Sequence, residues 1–95
     1  MSEYVVCETQ FKDRKTLIEA LVEMGLNESQ IELHDAPQSL VGYHGDSRSQ
    51  KAHVIIRRKH IGSASNDIGF EKTAEGHYKA WVSDYDKNVG LGKRV

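Results

Sequence analysis

The chain has 95 residues, of which 38% are hydrophobic and 28% charged, and its formal net charge is -1. This length and composition are typical of a single globular domain, and the near-neutral charge argues against wholesale non-specific binding of nucleic acid. No apolar run approaches the roughly 20 residues of a membrane-spanning helix, and the first residues lack a secretion signal. The lone Cys7 excludes an internal disulfide, so we expect a soluble cytoplasmic protein with no membrane partner.

The first two predicted elements are a strand and a helix. Apolar and polar residues alternate from Tyr4 to Phe11, as in a half-buried strand. Asp13 is suited to cap the helix that follows, and Gly25 is suited to end it, with Leu26 folding back onto the last turn. The helix has an apolar stripe formed by Leu17, Ile18, Leu21 and Met24.

The middle of the chain reads as strands and a loop. Residues 31–34 alternate as a second strand, and Pro37 is expected to break it because proline donates no ladder hydrogen bond. Residues 40–43 predict a short further strand, and residues 42–50 a polar loop with two glycines.

The remaining strands follow in close succession. Ala52, Val54 and Ile56 alternate with polar residues, so we expect all three on the buried face of one strand. Ile68 and Phe70 open the next strand, and the turn at residues 75–76 leads into the last strand, residues 77–85. We expect the predicted core to contain Leu17, Leu21, Met24, Val54, Ile56, Ile68 and Phe70.

The predicted order is strand, helix and then three or four strands. This order favours the α+β class, with a single antiparallel sheet of four or five strands and one helix packed on one face. We expect residues 1–86 to form this domain. Residues 87–95 have two glycines and no hydrophobic period, so we expect a flexible C-terminal tail.

Charge is sorted along the chain. From Thr16 to Ser47 every charged residue is acidic, namely Glu19, Glu23, Glu28, Glu32, Asp35 and Asp46. From Arg48 to Asn66 every charged residue is basic, namely Arg48, Lys51, Arg57, Arg58 and Lys59. A small domain with surfaces of opposite charge is suited to binding a charged partner or a second copy of itself.

These five basic residues are the candidates for interaction or phosphate binding. Alternation places Lys51, His53, Arg57 and Lys59 on one strand face, which would bind an acidic protein surface or nucleic-acid backbone, or would simply be solvated. In the preceding loop, Tyr43, His44 and Asp46 are further candidates, because a glycine loop beside an arginine suits an anion. A plain hairpin connection explains the same loop.

Metal and catalytic chemistry have weaker signals. The five histidines show none of the usual ligand spacings, and we expect no metal and no cofactor. Asp84 and Asp86, with Glu71, offer carboxylates for a hard cation, although a solvated strand end explains them as well. No nucleophile motif surrounds Cys7, so the sequence favours a protein that is not an enzyme and leaves the question open.

Several short segments together resemble a family. Residues 41–45 read VGYHG, residues 67–72 read DIGFEK, and residues 76–85 read GHYKAWVSDY. Together with residues 4–10 and 52–58, they resemble the uncharacterised family that includes hypothetical chloroplast reading frame thirty-five. The resemblance implies a small soluble protein and no particular catalytic residue. Through family members encoded near ATPases of the AAA class, it also implies an accessory role.

Two functions remain open. The first is a small non-enzymatic interaction or accessory protein that acts through its charge-polarised surface, with an ATPase of the AAA class as one possible partner. The alternative is a protein that binds nucleic acid or nucleotide phosphate through the basic strand. We also expect self-association, most simply as a homodimer in which the basic strand or an exposed edge meets a complementary surface.

Overall fold

The computed structural model describes residues 3–62 and 64–86. Within these residues the chain forms one α-helix, two short 3₁₀ turns and five strands. They are β1 (Tyr4–Glu8), α1 (Arg14–Glu23), a first 3₁₀ turn (Glu28–Gln30), β2 (Glu32–Val41), β3 (Ser47–Ile56), a second 3₁₀ turn (Arg58–His60), β4 (Ile68–Lys72) and β5 (Tyr78–Ser83). The α+β class and the strand-helix-strand order are therefore confirmed, while the predicted tail at residues 87–95 lies outside the described part.

The five strands form one antiparallel sheet in the order β1-β5-β4-β3-β2. The basic strand β3 is therefore an inner strand, and β1 and β2 are the edges. Because α1 follows β1 and precedes β2, the chain crosses one face of the sheet between its two edges. Among the described residues, no helix is long and apolar enough to cross a membrane.

Local sequence signals set both ends of α1. At the start, the Asp13 carboxylate accepts a hydrogen bond from the Thr16 amide at 2.7 Å, which satisfies one orphan donor of the first turn. At the end, Gly25 has φ 110°, its amide donates to Val22, and the Leu26 amide donates to Leu21. This pair of bonds is a Schellman motif, as the glycine predicted.

The main core lies between α1 and the sheet. All seven residues predicted for it belong to this cluster, with Met24 only partly buried. Leu26 and Ile31 close the cluster where the chain leaves the helix and approaches β2, and Tyr78, Ala80 and Val82 extend it along β5.

The hairpin of β2 and β3 differs from the prediction. Pro37 does not break the strand: β2 runs through it, because β2 is an edge strand and Pro37 is exposed there. From the pair Leu33–Val54 to the pair Gln38–Ala52, β2 advances by five residues and β3 by two, so the ladder has an irregularity. Strands bend at such irregularities.

The bend places the far half of this hairpin on the second face of the sheet, opposite α1. Ala52 packs there with Leu40 and Ile55, against Tyr4 and Trp81. The expectation that Ala52 would share the face of Val54 was therefore wrong. An alternation counted along β3 does not hold across the bend, so Ala52 joins a second and smaller core.

Candidate functional site

The structure brings three of the five candidate basic residues together. Arg57 follows β3, and Arg58 and Lys59 belong to the second 3₁₀ turn, so Lys59 does not lie on the strand as predicted. All three line a shallow cleft of about 470 Å³, which we call the basic cleft. Its remaining lining residues are Ser39, Val41 and Asp67.

Arg57 in the basic cleft is held by two carboxylates. Its Nε donates to Glu32 at 2.8 Å, and its Nη1 donates to Asp67 at 2.8 Å. Hydrogen bonding to Glu32 is the main cause that raises the pKa of Arg57. The same hydrogen bond is the main cause that lowers the pKa of Glu32. Much of the positive charge predicted for this position is therefore neutralised within the protein.

Asp67 organises the base of the basic cleft. It is fully buried, and its carboxylate accepts the backbone amides of Arg58 at 2.7 Å and Val41 at 2.8 Å. Its own amide donates to the Val41 carbonyl at 2.9 Å. Asp67 thus ties the second 3₁₀ turn to the end of β2. Sequence reasoning missed this role, although a charged residue directly before the apolar start of β4 was a usable signal.

The other two basic candidates lie on the second face of the sheet. The Arg48 guanidinium stands 5.7 Å from the centre of the Tyr4 ring and pairs with Asp46 at 2.5 Å. The Tyr4 hydroxyl donates to the Asp67 carbonyl at 2.5 Å, and burial is the main cause that raises the pKa of this phenol. Lys51 lines a separate cleft of about 280 Å³ with Trp81 and other residues of the second face.

The candidate loop is a tight hairpin turn. The Gly42 amide donates to the Asp46 carbonyl, and the Gly45 amide donates back to the Gly42 carbonyl, both at 2.8 Å. The Tyr43 amide donates to the side chain of Asn66 at 2.9 Å, and the rings of Tyr43 and His44 lie 4.0 Å apart. With Asp46 bound to Arg48, several polar groups expected to hold an anion are used inside the protein.

The acidic half of the chain forms a second site beside α1. A pocket of about 530 Å³ has Ile18, Ile31 and Leu33 among its lining residues, with Glu19 and Glu28. An adjoining pocket of about 450 Å³ shares three of these residues and adds Val22 and Glu23. We call this combined surface the acidic groove.

The acidic groove has an apolar floor that solvent reaches. Leu33 is 46% exposed and Val22 is 40% exposed, both high for aliphatic side chains of their size. In the part of the chain that the structure describes, Glu19, Glu23 and Glu28 form no ion pair. Arg14 and Lys15 lie at one end of the larger pocket. Sequence reasoning found the acids but missed the exposed apolar residues beside them.

The charges on α1 oppose its dipole. Its first turn contains no acid and its last turn no base; instead Arg14 and Lys15 begin the helix and Glu23 ends it. Cations at a helix N-terminus and carboxylates at the C-terminus are unfavourable. Glu19 and Glu23 also repel each other, because residues four apart are neighbours on a helix surface. Burial of the apolar stripe must outweigh both effects.

The carboxylates considered for a cation do not converge. β5 ends at Ser83 and not at residue 85 as predicted, so Asp84 and Asp86 lie beyond the strand. Asp84 is exposed, whereas Asp86 is buried and accepts hydrogen bonds from the hydroxyls of Ser65 and Ser83, both at 2.8 Å. Among the described residues, no group of three or more histidine, cysteine or acidic side chains is placed to hold a metal ion.

Comparisons of the chain with protein families, with curated proteins and with solved structures found no match. The family resemblance inferred from short segments therefore stays a prediction. The function has to be argued from the two charged surfaces themselves.

Proposed function

We propose that this protein is a non-enzymatic interaction module that binds a basic, amphipathic segment of a partner protein in the acidic groove. The observation that carries the proposal is the charge arrangement on α1. Glu23 opposes the dipole at the end of the helix and repels Glu19, and both glutamates lie exposed beside apolar side chains. Residues that reduce stability without forming internal contacts are typical of binding surfaces.

The chemistry of the acidic groove defines the partner. Ile18, Leu33 and neighbouring apolar atoms would bury aliphatic or aromatic side chains, which supply most of the binding free energy at protein interfaces. The three glutamates would meet lysines or arginines and select against acidic partners. A segment that carries both features, such as a basic amphipathic helix, fits such a groove.

Two independent arguments describe the expected partner. The residues of the acidic groove require only a basic amphipathic segment. The family resemblance adds an ATPase of the AAA class as an accessory partner, and the groove proposal does not depend on that addition.

A matched pair of variants tests this proposal. The groove variant carries Glu19→Gln, Glu23→Gln and Glu28→Gln. The control variant carries Glu3→Gln, Asp35→Asn and Glu75→Gln, which removes the same number of charges from other exposed positions. The probe is a synthetic peptide of lysine and leucine in helical periodicity, and a scrambled peptide of equal charge controls for non-specific attraction.

Peptide binding is read by NMR chemical shifts. We expect the periodic peptide to shift the amides of α1 and of the start of β2 in the wild type and the control variant. The groove variant should bind at least about tenfold more weakly, which corresponds to about 1.4 kcal/mol. Equal binding by the groove and control variants, or equal binding of the scrambled peptide, would contradict the proposal.

A second candidate function is favoured by the basic cleft. Three consecutive cations line it, and such a cluster suits phosphate groups. Of these, Lys59 is exposed, whereas Arg57 already holds two carboxylates. This reading would make the protein a nucleic-acid or nucleotide-phosphate binder.

Absorbance and titration test the second candidate. If the basic cleft binds nucleic acid, purified wild-type protein should show a raised ratio of absorbance at 260 nm to that at 280 nm, wavelengths at which bases and aromatic side chains absorb. Lys59→Glu should remove most binding of a single-stranded oligonucleotide, and Lys12→Glu, an exposed control outside the basic cleft, should not. Equal loss in both variants would indicate non-specific attraction.

A further inference from the structure

The two edges of the sheet are protected very differently. β2 contains Pro37, an irregular register and the charges of Glu32 and Asp35, all of which hinder pairing with another strand. β1 reads YVVCE, with no proline and no register irregularity against β5. Among the described residues, no strand pairs with the outer edge of β1. An edge of this kind is a template for another strand.

The backbone groups on this edge can be assigned. The Asp84 amide donates to the Glu3 carbonyl at 2.7 Å, so Glu3 faces β5. In an antiparallel ladder, alternate residues bond to the same neighbour. Val5 and Cys7 therefore also bond to β5, and the amides and carbonyls of Tyr4, Val6 and Glu8 point outward. Val6 is the central residue of this edge, and 52% of its surface is exposed.

We propose that two copies of the chain pair through β1, antiparallel about a two-fold axis at Val6, to form one continuous ten-stranded sheet. In this register Val6 lies opposite Val6 of the second copy, and Tyr4 lies opposite Glu8 in both directions. All three outward-facing residues of each strand then form hydrogen-bonded pairs. The proposal is independent of the acidic groove, which lies between α1 and β2.

A second copy fits this edge because β1 is complementary to itself in charge. Tyr4, Val6 and Glu8 share the second face of the sheet, since side chains alternate along a strand. Arg48 stands over the Tyr4 ring on that face. The proposed register therefore brings Glu8 of one copy to the Arg48 guanidinium of the other, where it would be a second carboxylate beside Asp46. In the single chain the Glu8 carboxylate lies 3.3 Å from Nε2 of His77. A two-fold axis forms this ion pair twice.

The same register covers exposed apolar surface. Val6 pairs with Trp81 across the ladder to β5, and both are partly exposed on the second face. In the dimer the two Val6 side chains would lie side by side between the two Trp81 rings. The exposed valine of the monomer thereby gains a second apolar neighbour on its outer side, in addition to Trp81.

Disulfide cross-linking tests the register. Directly opposite, hydrogen-bonded residues have Cα atoms about 5.5 Å apart, within the range of about 4.4–6.8 Å that a disulfide spans. In a Cys7→Ser background, Val6→Cys should therefore form a covalent dimer under mild oxidation. Val5→Cys in the same background is the matched control, since its diagonal separation of about 7–8 Å is too long. Equal cross-linking of both variants would overturn the register.

Light scattering at about 100 μM, a concentration suited to a small interface, completes the test. It compares the wild type with charge-reversal variants and with a variant that carries a lysine in the middle of the edge strand. We expect the wild type to have twice the mass of the 10.7 kDa chain. Glu8→Arg or Arg48→Glu should weaken the dimer about tenfold or more, and the double variant should restore it. Val6→Lys should be monomeric with an unchanged circular dichroism spectrum, since Val6 is exposed. A monomeric wild type, or a dimeric Val6→Lys, would overturn the proposal.

Discussion

The charge of Arg57 is neutralised by carboxylates that come from other parts of the chain. A cation follows the buried end of β3, and the nearest carboxylates in space come from Glu32 and from Asp67. Asp67 is only 1% exposed at its side chain, so its charge requires a partner and fixed hydrogen-bond donors. The backbone amides of Val41 and Arg58 supply the donors. The arrangement is primarily structural, which is why the basic cleft ranks second as a function.

Individual residues could be predicted from sequence where their partners are local. The cap at Asp13 and the helix end at Gly25 depend on neighbours within five residues, and both are confirmed. The role of Arg57 depends on partners ten and 25 residues away, and sequence alone gives no means to pair them. The sequence therefore identified Arg57 as a cation, but it did not predict the two carboxylates that neutralise it.

The pairing of Glu32 with Arg57 predicts a pH dependence of stability. The hydrogen bond from Arg57 holds the pKa of Glu32 below its ordinary value of 4.5. A group whose pKa is lower in the folded state stabilises the protein above its unfolded pKa, and this contribution is lost as the pH falls through the folded value. We therefore expect Glu32→Gln to be less stable than the wild type at neutral pH.

Urea unfolding at a series of pH values measures this effect. The two proteins should converge in stability as the pH falls below 4.5, because the wild-type carboxyl is then increasingly protonated in both states. Some pH dependence should remain in the variant, since Asp13 and Asp46 also have lowered pKa values. A constant difference between the proteins from neutral to acid pH would show that the ion pair contributes nothing.

At the scale of elements, α1 combines a secure fold with an unfavourable surface. Leu17 and Leu21 are almost completely buried, so packing keeps the helix in place. Its exposed charges are then available for binding, because their cost is smaller than the gain from burial. This division between a buried apolar face and an exposed acidic face was visible in the sequence as an apolar stripe opposite two glutamates.

Glu23→Lys should therefore stabilise the protein while it weakens binding in the acidic groove. The substitution removes the repulsion from Glu19 and places a cation in the last turn of α1. We expect the free energy of unfolding to rise by about 0.5–1 kcal/mol in urea titrations at low salt. Glu75→Lys, in the exposed β4–β5 turn, is the control and should change little. A loss of stability in Glu23→Lys would mean that Glu23 has a structural role.

The folded-over hairpin is the element that the sequence did not predict. The alternation of apolar and polar residues predicted the strands. A register irregularity in an edge hairpin has no strong sequence signal, apart from Pro37. The bend also depends on contacts with β4, where Gly69 leaves room for the hairpin. A β-carbon at position 69 would lie 2.6 Å from that of Ala52 and 2.8 Å from a methyl group of Leu40.

Gly69→Ala tests that close contact. The added methyl group should push the hairpin away from the sheet and cost about 1–3 kcal/mol of stability. Combining it with Ala52→Gly removes one of the two clashes, so the double variant should recover part of the loss relative to the single variants. Full additivity of the two substitutions in urea unfolding would contradict direct contact between positions 52 and 69.

Across the whole molecule, one sheet separates two apolar clusters of unequal size. The larger lies under α1, and the smaller lies under the hairpin, with Leu40 completely buried in it. The hydrogen bond from Tyr4 to Asp67 links edge strand β1 to the segment before β4, so the smaller cluster spans most of the sheet. The predicted architecture of one helix on one face was right. It omitted this second layer because residues 42–50 were predicted as a loop, whereas β3 begins at Ser47 and the hairpin folds over the sheet.

If both clusters belong to one cooperative unit, substitutions in either should lower global stability alike. Leu21→Ala on the helix side and Leu40→Ala on the hairpin side should each cost about 2–5 kcal/mol, as expected for fully buried leucines. The single tryptophan, Trp81, packs against the smaller cluster, so its fluorescence reports the hairpin side while far-ultraviolet circular dichroism reports the whole sheet and helix. For each variant the two urea transitions should coincide, which is the mark of two-state unfolding. If Leu40→Ala shifted the fluorescence transition and left the dichroism transition in place, the hairpin would instead be a separate, weaker unit that opens on its own.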